Sequence, residues 1–262
     1  MANLNISYEV QQDITRVCAY TALLLLQHGA ESTLIVQITE RLGLALGIDS
    51  VECALTPNAI ILTTRYQDRC ITTTRKNQDK GINMYIVTEV QHIMLAAEHK
   101  IYDLAMVKTK LNQLAPLKYN RWLVIVMIGL SCAAFARLSG GDIITCAITF
   151  VAAMCAMFVR QVLAIQHYNP IIVFAITAFV ATLIAGLGLK YELGNDPQIA
   201  IASSVLLLVP GFPLINALAD VLKGHVNMGI GRWAIATILT LGACMGIVSA
   251  LSLLNIHQWG GY

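Results

Sequence analysis

The stretch Ser203–Asp220 reads SSVLLLVPGFPLINALAD, and its only charged residue is the last. It is apolar enough for lipid, yet Pro210 and Pro213 bracket Gly211 and Phe212 near its middle. Each proline lacks an N–H donor and crowds the preceding turn, and Gly211 removes a side chain that would resist bending. The pattern predicts a membrane helix broken into two halves at mid-depth, the second starting near Pro213 with free N–H groups facing a cavity. Interrupted backbone is tolerated in hydrocarbon only when buried in protein or lining water. A half-helix N-terminus in that setting is a seat for anions; a plain packing kink is the bland alternative. A polar stripe follows, with Pro213, Asn216 or Ala217, and Asp220 recurring on one face, and Ser203 and Ser204 precede the break. Asp220 is expected either to titrate as a coupling group or to pair with Lys223 or Arg232.

The neighbouring sequence repeats the apolar theme. Uncharged runs occupy Trp122–Ala136, Ile143–Val159, Ile171–Leu189 and Trp233–Ile256, each bounded by a charge or by Asn169-Pro170. A hydrocarbon core of about 30 Å needs roughly 20 helical residues, so the first two runs are short and their flanking arginines are expected to snorkel. Of the 262 residues 57% are apolar and 12% charged, against about a quarter charged in soluble domains. Most of the charge lies before residue 122, in 12 of the 17 Lys and Arg and 11 of the 15 Asp and Glu. A soluble enzyme, a disordered tail and a nucleic-acid binder are thereby excluded. The reading is an α-helical polytopic membrane protein of five transmembrane helices, the fourth broken at Pro210–Pro213, with an N-terminal cytoplasmic α+β domain. The cytoplasmic domain is expected over 1–118 and the membrane domain over 119–262, with spans near 122–138, 143–160, 171–189, 199–219 and 233–256. Lys118, Arg121, Arg160, Lys223 and Arg232 then fall inside, and only Arg137 and Lys190 outside, which places the N-terminus in the cytoplasm and the C-terminus in the periplasm. Gly129 with Ala133, Gly242 with Gly246, and Gly186 and Gly188 are candidate sites of close helix approach. The seven cysteines form no CxxC and are expected to be packing residues, and MANLNISYEV at the start has no apolar run, so no signal peptide is expected.

In the first 118 residues, apolar periodicity predicts helices over 11–28 and Ser32–Leu46, ended by Gly29 and Gly47. Strands are expected at Val51–Leu55, Ala59–Tyr66 and Cys70–Thr74, turning at Gln67-Asp68-Arg69, then helices over Asn83–Lys100 and Val107–Gln113. Polar candidates here are His28 with Glu31, and the run Thr72–Asn77, in which Arg75 and Asn77 could bind a carboxylate or phosphate. Glu89 and His92 lack a third spaced ligand, so no metal site is expected. No nucleotide loop, dinucleotide fingerprint or nucleophile elbow occurs, so neither catalysis nor a cofactor is expected.

Several long, ordered segments resemble the threonine/serine exporter family: LLLQHGAES at Leu24–Ser32, NAIILTT at Asn58–Thr64, TRKNQDKGINM at Thr74–Met84, VTEVQHI at Val87–Ile93, GLSCA at Gly129–Ala133, LLLVPGFPLINALAD at Leu206–Asp220 and KGHVNMGIGRWAIA at Lys223–Ala236. The resemblance is to its two-component branch, and it implies the larger subunit of a bacterial succinate exporter. Such a subunit works in the inner membrane with a separate small membrane protein of the YjjB type. The broader family implies threonine or serine as the alternative solute. A sensor, or an enzyme acting through the cytoplasmic head, is the reading from another class. The resemblance brings no site residues with it. The residues expected to bind substrate are Ser203, Ser204, Pro210, Gly211, Pro213, Asn216, Lys223 and Arg232, with Asp220 for coupling and His28, Glu31, Arg75 and Asn77 in the head. For a dicarboxylate, Arg232 or Lys223 is the expected cationic partner, and alternating access around the broken span, linked to proton movement, is the expected mechanism.

Overall fold

A computed structural model describes residues 6–256. The chain divides into two compact units. One runs to Lys118 and also takes in Phe212–Trp233; the other holds Tyr119–Gly211 and the chain from Ala234 onward. The first is called the head and the second the helical body.

The head begins with α1 (Tyr8–Gln27) and α2 (Ser32–Ala45), continues through β1 (Ser50–Leu55), β2 (Ala59–Tyr66) and β3 (Arg69–Lys76), and then forms α3 (Met84–Glu98) and α4 (Leu104–Gln113). Local sequence chemistry sets the boundaries. Ser7, Asn83 and Asp103 each precede a helix and accept a hydrogen bond from a backbone N–H of its first turn. The three strands form an antiparallel sheet in the order β1-β2-β3, with Cys53 opposite Leu62 and Ile61 opposite Thr74. Gln67 takes the left-handed conformation in the β2–β3 turn, with a φ of 51°.

Alternation sorts β2 into two faces. Ile60, Leu62, Thr64 and Tyr66 are buried, while Ile61 stays exposed. The buried face meets α1, where Thr15 and Thr64 share a hydroxyl hydrogen bond of 2.6 Å and Gln11 Nε2 donates to the Thr64 carbonyl. Ile14, Leu25, Ile35, Ile38, Leu42, Val90 and Leu111 fill the core, and Met228, from much later in the chain, belongs to the same cluster.

The body contains α5 (Arg121–Leu138), α6 (Ile143–Ile165), α7 (Pro170–Lys190), α8 (Pro197–Val205) and a 3-10 turn at Leu206–Leu208. Helix α9 (Gly211–Leu222) begins at the edge of the body and continues in the head, whereas α10 (Val226–Leu253) begins in the head and continues in the body. Four helices, α5, α6, α7 and α10, are long and apolar enough to cross a membrane, and there are five such spans if the broken pair Pro197–Leu208 and Gly211–Leu222 counts as one. Tyr119, Trp122, Tyr168 and Tyr191 are exposed at helix ends, where amphipathic rings favour a membrane surface.

Three boundaries differ from the sequence reading. The second half of the broken helix starts at Gly211 rather than Pro213. Pro213 therefore lies in its first turn, where a missing N–H costs no helical bond. Helix α6 runs on to Ile165, past Arg160, so that charge does not end the helix. Helix α10 begins at Val226, ahead of Arg232.

Candidate functional site

Three polar side chains, Asn216, Asp220 and Arg232, converge on the four-residue loop His28–Glu31 between α1 and α2 and on the first residue of α2, Ser32. Gly29, at φ 86°, ends α1 in a left-handed turn in which Ala30 N–H donates to the Leu25 carbonyl at 3.0 Å. This turn leaves the Gly29 and Ala30 carbonyls and the Ser32 N–H without partners inside either helix. Residues of α9 and early α10 supply them. Asn216 Nδ2 donates to the Gly29 carbonyl at 2.9 Å, and Arg232 Nη2 donates to the Ala30 carbonyl at 2.7 Å. Asp220 Oδ1 accepts from Ser32 N–H at 3.0 Å.

Asp220 thus sits at the N-terminus of α2, where the helix dipole and a free N–H favour a carboxylate. Its side chain is fully buried, and Arg232, at 13% exposure, stands with Nη1 3.1 Å from Oδ2. That last contact is an ion pair without hydrogen-bond alignment, so Oδ2 and Nη1 keep unused bonding capacity, as does the buried Ser32 hydroxyl. Around this centre, Lys223 Nζ pairs with Glu31 Oε1 at 2.6 Å. A buried ion pair broken on one side costs about 3–5 kcal/mol, so Asp220 and Arg232 hold each other in place. Close packing brings them within reach. A Cβ on Gly229 would lie 2.7 Å from the Ala217 carbonyl, and one on Gly231 would lie 2.2 Å from Pro57 Cγ. Glycine at these two positions lets α10 lie against α9 and the β1–β2 loop.

His28 faces elsewhere. Its Nδ1 lies 3.3 Å from the Gly81 carbonyl, and its backbone carbonyl accepts from Asn83 N–H. Burial holds the imidazole below its usual pKa, with Lys80 pushing the same way and the Gly81 carbonyl offsetting part of the effect. Asn77 Nδ2 donates to the Pro57 carbonyl at 2.9 Å. Arg75 lines a separate cavity with Arg16 and Lys108. The four head residues grouped on the sequence therefore have separate partners, and only Glu31 joins the Asp220 cluster.

Within the body, Ser204 Oγ donates to the Ile201 carbonyl at 2.9 Å, whereas the buried Ser203 hydroxyl has no partner. At the helix break, Gly211 N–H donates to the Val209 carbonyl at 2.8 Å, and Pro210 and Pro213 carry no N–H at all. The start of α9 accordingly offers fewer free donors than an ordinary helix N-terminus. The charged groups sit at its other end, at Asp220 and Lys223. The residue missed on the sequence is Arg160. Its Nη1 donates to the Leu207 carbonyl in the 3-10 turn at 3.2 Å, and its guanidinium lies over the Phe174 ring. An arginine inside an apolar helix, seventeen residues after Ile143, could have been read as a partner for broken backbone instead of a helix end. Among the described residues no group of three or more His, Cys, Asp or Glu side chains is placed to hold a metal ion.

These features define a multi-pass α-helical membrane protein whose N-terminal head is completed by Phe212–Trp233 from later in the chain. The chain belongs to the threonine/serine exporter family: the family model described as "Putative threonine/serine exporter" matches residues 16–254. It is 53% identical to the "Probable succinate transporter subunit YjjP" of Escherichia coli (strain K12) over 252 residues, which are 96% of this chain and 98% of that one. It is also 53% identical to the protein of the same description from Klebsiella aerogenes, over 95% of this chain and 97% of that one. A "Probable threonine/serine exporter" of Mycobacterium tuberculosis is 26% identical over 138 residues, 52% of this chain and 26% of the relative. No solved structure matches the chain.

Proposed function

We propose that the chain is one subunit of a two-component secondary exporter that carries succinate, or a closely similar dicarboxylate, out of the bacterial cell across its inner membrane. The observation that carries this reading is 53% identity, over nearly the whole of both chains, to two relatives described as succinate transporter subunits. Their description as subunits supports a second polypeptide, for which a small YjjB-type membrane protein is the candidate. The lysine and arginine bias of the flanks supports an N-terminus and head in the cytoplasm and a C-terminus in the periplasm, with the broken pair as the fourth of five spans. Transport fits this head better than catalysis, since its buried polar groups bind backbone and one another.

In this reading Arg232 is the cationic seat for one substrate carboxylate, with Lys223 available for the second. Asp220 occupies Arg232 in the absence of substrate. A carboxylate arriving at Nη1 displaces Asp220 Oδ2, and the freed Asp220 takes up a proton, which links anion movement to proton movement. Asn216 and the Ser32 hydroxyl supply hydrogen bonds beside that seat. Pro210, Gly211 and Pro213 give the flexible break, and Ser203 and Ser204 a polar lining before it. His28 and Glu31 position the loop, and Arg75 and Asn77 belong to the head's own polar surface.

The test is counterflow of labelled succinate in proteoliposomes holding this chain and its small partner, beside threonine and serine. Succinate flux that requires both chains, and is lost with Arg232→Gln while the complex still assembles, is the expected result. Succinate kinetics unchanged by Arg232→Gln would remove that residue from the site. Flux of threonine or serine instead of succinate would replace the solute.

A further inference from the structure

The head holds a second polar feature away from Asp220. Helices α1 and α4 and the end of β3 line a cavity of about 400 Å³. Three cations border it, Arg16 from α1, Arg75 from β3 and Lys108 from α4, together with Tyr20. Its floor is apolar, including the buried side chains of Val17 and Leu111. Asp13 is the acid in contact with these cations, 3.4 Å from Arg16 and 3.5 Å from Lys108. The guanidinium of Arg75 has neither an ion pair nor a hydrogen bond among the described residues. Three positive charges less one negative leaves an excess of two.

We infer that this cavity is a binding site for a small organic dianion with a hydrocarbon body, of the dicarboxylate class. The charge excess calls for two negative charges, and Arg75 offers a planar fork suited to a carboxylate. An inorganic oxyanion would leave the part-exposed apolar lining of Tyr20 and Leu23 uncovered, whereas a chain of methylenes covers it. A cavity of this volume has room for a six-carbon diacid, whose longer chain covers more of the apolar lining than a four-carbon one. A soluble-side site of this kind reports the cytoplasmic level of such acids to the head. It shares no residue with the Asp220 cluster and does not depend on the transport reading.

The measurement is hydrogen exchange on the full chain in lipid nanodiscs with added adipate, a six-carbon dicarboxylate. Adipate is expected to slow exchange in the peptides covering Tyr8–Gln27 and Leu104–Gln113. Arg75→Gln and Lys108→Gln, both at exposed positions, are each expected to weaken the response about tenfold or more. Glu52→Gln, an exposed change on β1 outside both sites, should leave it intact, and the position of the slowing in the α1 and α4 peptides separates this site from the Asp220 cluster. Neutral adipamide and inorganic sulfate should give no slowing. Absence of any slowing with adipate overturns the proposal, as does an equal response to adipamide, an equal response to sulfate, or a response unchanged by Arg75→Gln.

Discussion

In the head, the fully buried side chains include Ile14, Leu25, Ile35, Ile38, Ile60 and Leu62. In the helical body the fully buried positions are mostly alanines, among them Ala152, Ala153, Ala156, Ala178, Ala181 and Ala185, while Ile144, Leu241, Met245 and Val248 are exposed. The head is driven together by removing large apolar side chains from water. The body has no such drive if its outer face meets lipid, because a leucine is as well solvated by acyl chains as by protein. Its helices hold together through close backbone approach instead, and large side chains are left outside.

The largest way to break this contrast is a pair of leucine truncations. Leu25→Ala in the head is expected to cost about 2–5 kcal/mol, and Leu241→Ala in the body within about 0.5 kcal/mol. Unfolding of the reconstituted chain followed separately in the two units reads both; equal losses would remove the distinction. A sharper version uses glycine. A Cβ on Gly246 would lie 2.1 Å from the Ala175 carbonyl, so Gly246→Ala must push α10 from α7. The expected cost is about 1–3 kcal/mol, seen as a lower melting temperature of the body, and an unchanged melt would mean that the helices are not held by contact at that point.

The smallest effect is on pH. Because burial holds the folded-state pKa of His28 below its unfolded value of 6.5, the unfolded chain binds the proton more readily. The stabilising contribution is therefore complete above that unfolded value and is lost as pH falls through it towards the folded pKa. The head should melt at lower temperature on acidification across that range, and His28→Gln should flatten this dependence. Among the described residues no body helix contains a histidine, so the acid-side loss across this range should be confined to the head. An equal acid-side loss in His28→Gln would assign it to another group.

Much of the architecture was legible from sequence, and what was not has a common cause. Helices and strands up to Gln113 follow from short-range periodicity and from caps such as Asn83 and Asp103, which act within a few residues. The break after Leu208 follows from Pro210, whose effect is equally local. The site resisted because its contacts are distant along the chain. Asn216, Asp220, Lys223 and Arg232 and, separately, His28 and Glu31 could each be picked out as polar groups in apolar surroundings. That Glu31 and Lys223, or Ser32 and Asp220, meet depends on the fold bringing together residues 188 or more positions apart. Arg160 escapes a sequence reading for a related reason: it reads as the end of an apolar run, whereas its partner, the Leu207 carbonyl, lies 47 positions later.

The hydrogen bond from Ser32 to Asp220 also sets a timetable for synthesis. The head is translated first, but the residue that covers the start of α2 follows 188 positions later. At about 5–20 residues per second, that interval lasts roughly 10–40 s. Until it has passed, the nascent head lacks Met228 in its core and a carboxylate at Ser32, and the slot that will receive α9 is open. Completion of the head is thereby tied to synthesis of the four body helices, α5 to α8, that lie between its two parts in the chain.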